Sequence, residues 1–234
     1  MQGDVRLYDI CEKNVKEIVQ RFGRIDILVN GAAGNFLASA GKLSTKGFKT
    51  VMEIDTVGTF NMSKAVFVNS MKANKSGNII NISAELHWNG TALQAHSSAA
   101  KAGVDALTKV LAVEWGPYGI RVNGLVPGPI AGTEGLERLG NLSLMNNKEA
   151  TKNASANKAT TGGDNSMTLN TMPIPMLRMG EVQDISNAAL YLAGPAADYV
   201  TGWNLTVDGG CWLTMPNVMF AMPAFVNRWA QAKL

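Results

Sequence analysis

Four short apolar runs alternate with helix-length amphipathic segments, and this alternation constrains the fold more than any other feature of the chain. Residues 25–29 (I-D-I-L-V) are almost wholly apolar and stop abruptly at N-G-A-A-G-N. A run of that length and composition expects cover on both faces, as strands in parallel sheets have. Residues 78–83 (N-I-I-N-I-S), 120–126 and 203–207 read as further strands. Between them the period changes. Cys11, Val15, Ile18, Val19 and Phe22 recur at helical spacing up to Gly23, predicting a helix over 11–22. A helix opening at Leu43-Ser44 brings Phe48, Val51, Met52 and Ile54 to one side, and a separate, longer one is expected over 56–73, with Gly58 near its start. The spacing of Ala100, Val104, Leu107 and Leu111 predicts a buried stripe on a helix over 97–115, ended by Gly116-Pro117, and a last helix is expected over 181–193. Strand and helix in alternation predict an α/β fold around a parallel sheet. Right-handed crossovers leave few ways to connect it.

Residues 1–234 are expected to form a single partial domain of this kind. Residues 140–171, rich in Asn, Thr, Ser and Lys, break the pattern and read as a flexible insertion, and residues 211–234 read as a carboxy-terminal tail. The charge balance, 21 Lys plus Arg against 18 Asp plus Glu, is too even for a nucleic-acid partner. Two cysteines, Cys11 and Cys211, and two histidines cannot make a Cys/His zinc site, so no metal is expected. The apolar runs are strand-sized, and none reads as a membrane span. The ending Ala232-Lys233-Leu234 differs from a Ser-Lys-Leu peroxisomal address by one small-for-small exchange.

In an open parallel sheet, ligands bind at the carboxyl ends of the strands. Each of the four ends carries small or polar residues: 30–35, Ser83 with Glu85, 127–133, and 208–210. Gly and Pro at a single strand end are ordinary turn formers; at all four together they point to a ligand site. Lys101 lies one turn into a helix lined with Ala and Gly, where small neighbours leave room for a nucleotide beside it. Ser83 and Ser97 have no base partner in the sequence pattern, which counts against a hydrolase.

N-G-A-A-G at 30–34, N-I-S at 81–83, Lys101 and P-G-P-I with Thr133 together resemble the landmarks of the short-chain dehydrogenase/reductase family. The resemblance implies a Rossmann-like sheet. It also implies a cofactor contact for Asn30, Gly31, Ala32, Ser83, Lys101, Pro127, Gly128, Ile130 and Thr133. Most of that family places a catalytic Tyr four residues before the Lys, whereas this chain has Ser97 there. A-A-G-N-F-L, I-D-T-V-G-T-F-N, A-V-E-W-G-P and V-D-G-G-C-W-L-T resemble instead the peroxisomal 2,4-dienoyl-CoA reductase branch. That likeness implies an acyl-CoA substrate, NADPH as cofactor, a homo-oligomer, and a peroxisomal location reached by an import receptor that reads Ala232-Lys233-Leu234. It implies Asp55, Asp208 and Lys101 as catalytic residues and Asn35, Phe36 and Ser97 as substrate contacts.

Nothing before residue 25 reads as a strand followed by the family's G-x-x-x-G-x-G loop, which cradles a pyrophosphate. The expected consequences are an apolar sheet edge at 25–29 and a weakened hold on NADPH. Two alternatives stay open on the sequence: a non-catalytic subunit that assembles with intact copies, and a reductase acting on another carbonyl substrate.

Overall fold

The computed structural model describes residues 2–135 and 174–214. The 140–171 insertion, the tail beyond residue 214 and its Ala232-Lys233-Leu234 ending lie outside the described residues. Four parallel strands form one sheet in the order β1-β2-β3-β4: β1 Ile27–Asn30, β2 Gly77–Ile82, β3 Ile120–Pro127 and β4 Asn204–Val207. The register pairs Asn30 with Asn81, Ile82 with Leu125 and Pro127 with Val207, so all four carboxyl ends emerge along one rim.

Helix α1 (Tyr8–Phe22) starts three residues earlier than its apolar spacing predicts, because polar Tyr8 and Asp9 open its first turn. The two helices expected between residues 43 and 73 are one unbroken helical stretch. Ser44 caps α2 (Thr45–Met52), its hydroxyl accepting the Gly47 N–H at 3.0 Å. A π-helical turn (Glu53–Val57) leads into α3 (Gly58–Val66), and a second (Phe67–Met71) into α4 (Lys72–Asn74), which ends at Lys75 in the left-handed region. Gly58 has ordinary right-handed dihedrals and ends nothing. Helix α5 spans Ala95–Trp115, α6 Val182–Ala193 and α7 Cys211–Thr214.

Adjacent residues of a strand face opposite sides of a sheet, and here the two sides are covered unequally. On one side Ile79, Ile120 and Val122 pack with Val15 of α1, Val66 of α3, and Leu111 and Trp115 of α5. On the other, Ile80 and Leu125 meet Leu192 of α6. Strand order runs steadily across the sheet, yet α6 crosses on the face opposite α3 and α5. The β3-α6-β4 connection therefore has the opposite hand to the other two, against the expected uniform right-handedness. Among the described residues, strand β1 is also covered on one face only. Leu28 and Asn30 point to the packed side, while Ile27 and Val29 are 47% and 53% exposed. The expected apolar edge is there. No helix of the described residues is long and apolar enough to cross a membrane.

Candidate active site

The polar residues of the carboxyl rim come from three elements packed closely enough to share hydrogen bonds. Thr56 in the π turn donates to the Ala100 carbonyl of α5 at 2.9 Å. A β-carbon on Gly103 would come within 2.8 Å of the Thr56 side chain, so this glycine permits the approach. The contact sets Asp55 beside Lys101. Both are buried, and the Lys101 ammonium lies 3.2 Å from Asp55 Oδ2 while donating to the Ile82 carbonyl at 3.0 Å. The other carboxylate oxygen accepts the Gly34 N–H at 2.7 Å, fixing the loop after β1. Asp55 caps no helix; its side chain bridges α5 and that loop. Lysine carries three donors, and Lys101 gives one to the Ile82 carbonyl while its ammonium pairs ionically with Asp55.

Asn30 turns inward. Its amide donates to Ser63 Oγ at 2.9 Å and to Asn81 Oδ1 at 2.8 Å, and Asn81 donates to Thr108 Oγ1 at 2.9 Å. This buried chain ties β1 and β2 to α3 and α5, which spends both Asn30 donors inside the protein. Gly31 and Ala32 are exposed beyond it. Asn35 donates to Gln94 Oε1 at 2.7 Å, and Phe36 stacks on the buried His96 at a centroid distance of 4.2 Å. Burial holds the His96 imidazolium form down, so the ring sits neutral beside Phe36. Ser97 is buried one turn before Lys101, where a phenol would otherwise stand.

At the end of β2, the Ser83 hydroxyl donates to Asp105 Oδ1, and His87 Nε2 lies 3.0 Å from Asp105 Oδ2. The carboxylate stands between serine and histidine, so the imidazole does not reach the hydroxyl, and the trio is not arranged for nucleophilic attack. Asp208, after β4, accepts the Gly210 N–H at 2.9 Å and the Trp212 N–H at 2.7 Å. Burial, with the Asp208 charge second, pushes the Glu85 pKa up to about 7. The same two carboxylates add to burial in holding the Cys211 thiol up at about 11, which keeps it neutral. Trp88 and Trp212, from the turns that carry Glu85 and Asp208, meet edge to face at 5.3 Å.

The loop 127–133 packs directly against Asp208. The Gly128 N–H donates to the Val207 carbonyl at 3.0 Å, and a β-carbon on Gly128 would come within 2.5 Å of Asp208 Cβ. Ile130 is buried and bridges to Gly180, and Thr133 Oγ1 donates to the Ile130 carbonyl at 2.9 Å. Lys101, Asp55, Ser97 and the Gly34 amide thus form one cluster, and Asp208, Gly128 and Pro127 another, with Ser83 between them on the end of β2. Sequence reasoning missed Asp105, His87, Gln94 and His96. Lys101 and Asp105 are four residues apart, and Thr108 follows at three more, so a polar stripe beside the apolar one was open to reading.

The chain matches the short chain dehydrogenase family over residues 1–141, and over residues 150–211 a second family described as enoyl-(acyl carrier protein) reductase. It belongs to the short-chain dehydrogenase family. Within that family it is 46% identical over 96% of its length to a peroxisomal 2,4-dienoyl-CoA reductase from Pongo abelii, of which it covers 69%. It is 43% identical over 92% of its length to one from Arabidopsis thaliana, of which it covers 68%. The chain spans about two thirds of the length of these peroxisomal relatives, from 63% to 69%. Among solved structures it resembles a short chain dehydrogenase from Bacillus anthracis, with a TM-score of 0.71, 38% identity, and 92% and 76% of the two chains covered.

Dehydrogenases of this family act with a nicotinamide dinucleotide, and the rim suits one part of such a molecule. A β-carbon on Gly31 would meet only Ile82, at 3.8 Å, so the loop leaves space over the strand end. Asp55 Oδ2 is buried with no hydrogen bond of its own beyond the ion pair with the Lys101 ammonium. These features fit the ribose and nicotinamide end.

Proposed function

We propose that this chain carries the reductase chemistry of its relatives, the NADPH-dependent reduction of a 2,4-dienoyl-CoA to a 3-enoyl-CoA. The observation that carries the reading is the buried Lys101–Asp55 pair at the strand ends, with Ser97 where a tyrosine would serve a ketone reductase. Bound NADPH would supply a hydride to the δ carbon of the diene. The resulting negative charge spreads through the diene to the thioester oxygen, and a proton delivered to the α carbon leaves the 3-enoyl product. No alkoxide forms, so no phenol is required, and a carboxyl acting directly or through a water is sufficient.

Lys101 orients the nicotinamide ribose, assisted by Ser83 and by the loop of Asn30, Gly31 and Ala32. Pro127, Gly128, Ile130 and Thr133 line the carboxamide side. Asn35, Phe36 and Ser97 contact the acyl thioester. Asp55 and Asp208 position the proton-donating water. The relatives' names and the Ala232-Lys233-Leu234 ending support a peroxisomal location, with an import receptor and further copies of the chain as partners. The exposed Ile27 and Val29 on the edge of β1 favour a second reading, in which the chain works docked on another polypeptide.

The test follows NADPH oxidation by the purified chain with a 2,4-dienoyl-CoA, beside Asp55→Asn. We expect turnover in the parent and a loss of about 10²-fold or more in the variant, in the range of general acid catalysis. An Asp55→Asn protein with full activity removes the role of Asp55. A folded, inactive parent that gains activity with a longer relative supports the docked reading.

A further inference from the structure

Beside Asp55, three consecutive residues of the loop after β1 build a corner against the π turn and the start of α5. The Gly34 N–H donates to Asp55 Oδ1 at 2.7 Å, the Asn35 amide donates to Gln94 Oε1 at 2.7 Å, and the Phe36 ring stacks on His96 at 4.2 Å. His96 lies one turn before Ala100, whose carbonyl accepts the Thr56 hydroxyl, and Gly103 admits the Thr56 side chain further along. Residues 96, 100 and 103 share a face of α5. His96 therefore sits on the face that meets the π turn carrying Asp55.

The contacts bring together buried atoms that satisfy nothing in the described chain. Asn35 Oδ1, Asp55 Oδ2 and both ring nitrogens of His96 are buried without a hydrogen bond. The Phe36 main chain favours the charged ring from close by, but its geometry falls short of a hydrogen bond. Burial wins and keeps the imidazole neutral, with one N–H donor and one acceptor nitrogen. An amide oxygen and a carboxylate oxygen only accept. A water is the complement of that set: its two hydrogens suit Asn35 Oδ1 and Asp55 Oδ2, and a lone pair suits the imidazole N–H. Interior waters typically have about three such partners.

We propose that Asn35, Asp55 and His96 hold one buried water, and that His96 is the positioning residue that presents it for proton delivery. The water stands on the unpartnered atoms; its use rests on the reductase reading. Because the ring N–H engages a lone pair, the hydrogens of the water point away from His96. In the step itself, one of its O–H bonds breaks as the C–H bond at the substrate α carbon forms. The hydroxide left behind takes a proton back from solvent.

The experiment uses the whole chain with ¹³C- and ¹⁵N-labelled histidine, in which His87 is the only other histidine. NMR cross-relaxation between the His96 ring protons and the water frequency reads a resident water directly, and the signals missing in His96→Phe identify the ring. We expect a cross-peak in the parent that persists in Ser97→Ala, where a neighbouring exchangeable hydroxyl is gone. No cross-peak, or one lost in Ser97→Ala, overturns the buried water. Turnover reads the second half. His96→Phe preserves an aromatic ring against Phe36 and should lower kcat by about 10²-fold at unchanged KM, as a small misplacement of a reacting group does. Its solvent deuterium isotope effect should rise as proton delivery becomes limiting. His96→Gln, which can still donate to the water, should regain part of the rate. Full activity in His96→Phe, or equal losses in both variants with an unchanged isotope effect, overturns the positioning role. A parent inactive with NADPH and a 2,4-dienoyl-CoA sinks the reductase reading, while the NMR result still decides the water.

Discussion

Asp55 and Glu85 stand at the carboxyl ends of neighbouring strands, and their surroundings handle charge in opposite ways. Asp55 is buried at 1% exposure with an ammonium 3.2 Å away and a backbone N–H on its other oxygen. Glu85 is half-buried, has no cation paired with it among the described residues, and feels the charge of Asp208. Compensated burial keeps a carboxylate charged in a dry place. Uncompensated burial next to a like charge keeps a carboxylic acid protonated at neutral pH. One rim therefore holds one carboxyl with an ammonium beside it and another that burial pushes toward its protonated form. Residue type alone would not distinguish them.

Removing the counter-charge at the first end should break that contrast most severely. Lys101→Met leaves Asp55 buried and unpaired, and should destabilise the chain by about 3–5 kcal/mol. Urea denaturation measures it, and adding Asp55→Asn to the same protein should recover a large part of the loss. A single variant as stable as the parent would mean that Asp55 takes up a proton readily, erasing the difference between the two ends. The Asp208 end depends on backbone packing. Gly128→Ala places a methyl within 2.5 Å of Asp208 Cβ and should cost about 1–3 kcal/mol as the turn 208–210 shifts. Glu85 should feel less of the Asp208 charge and titrate lower.

The smallest effect is on pH dependence. The folded-state pKa of Glu85 is raised from 4.5 to about 7, so the folded chain binds this proton more tightly than the unfolded one. Its favourable contribution is fully present below 4.5 and is lost as pH rises through 7. Thermal unfolding of the parent should show a Tm declining across that window, and Glu85→Gln should flatten the decline. An identical slope in both proteins would mean that solvent screens the pair.

The strands were legible to within about two residues, because an apolar run bounded by polar and glycine-rich residues has few other uses in a chain of this composition. Helix α5 was legible for a similar reason. The stretch 45–74 was not: Gly58 and the polar residues around it look like a boundary, while tertiary packing against α5 keeps the helix going. The hand of the β3-α6-β4 crossover was also hidden, since strand and helix spacing say nothing about which face a helix covers. Lys101 stood out as one cation among alanines and glycines. Asp105 and His87 did not, because their importance lies in each other and in Ser83, and side chains that meet only in the fold leave no spacing to read. Glu85 was visible as a polar residue at a strand end, but its link to Asp208 spans more than half the chain.

The π turn at Glu53–Val57 also makes the helix a measuring device. An α-helix advances each side chain by about 100° per residue, and a π turn accommodates an extra residue within the winding. Deleting one residue there would let the backbone relax to ordinary α geometry. The helix would survive, and positions beyond Val57 would stay in place. Asp55, however, would swing by about a quarter of a turn away from Lys101. A genetic change too small to disturb circular dichroism would thus disconnect the ion pair. In any set of sequence variants of this chain, gaps and insertions at 53–57 are the ones to inspect first, before any substitution in the cleft itself.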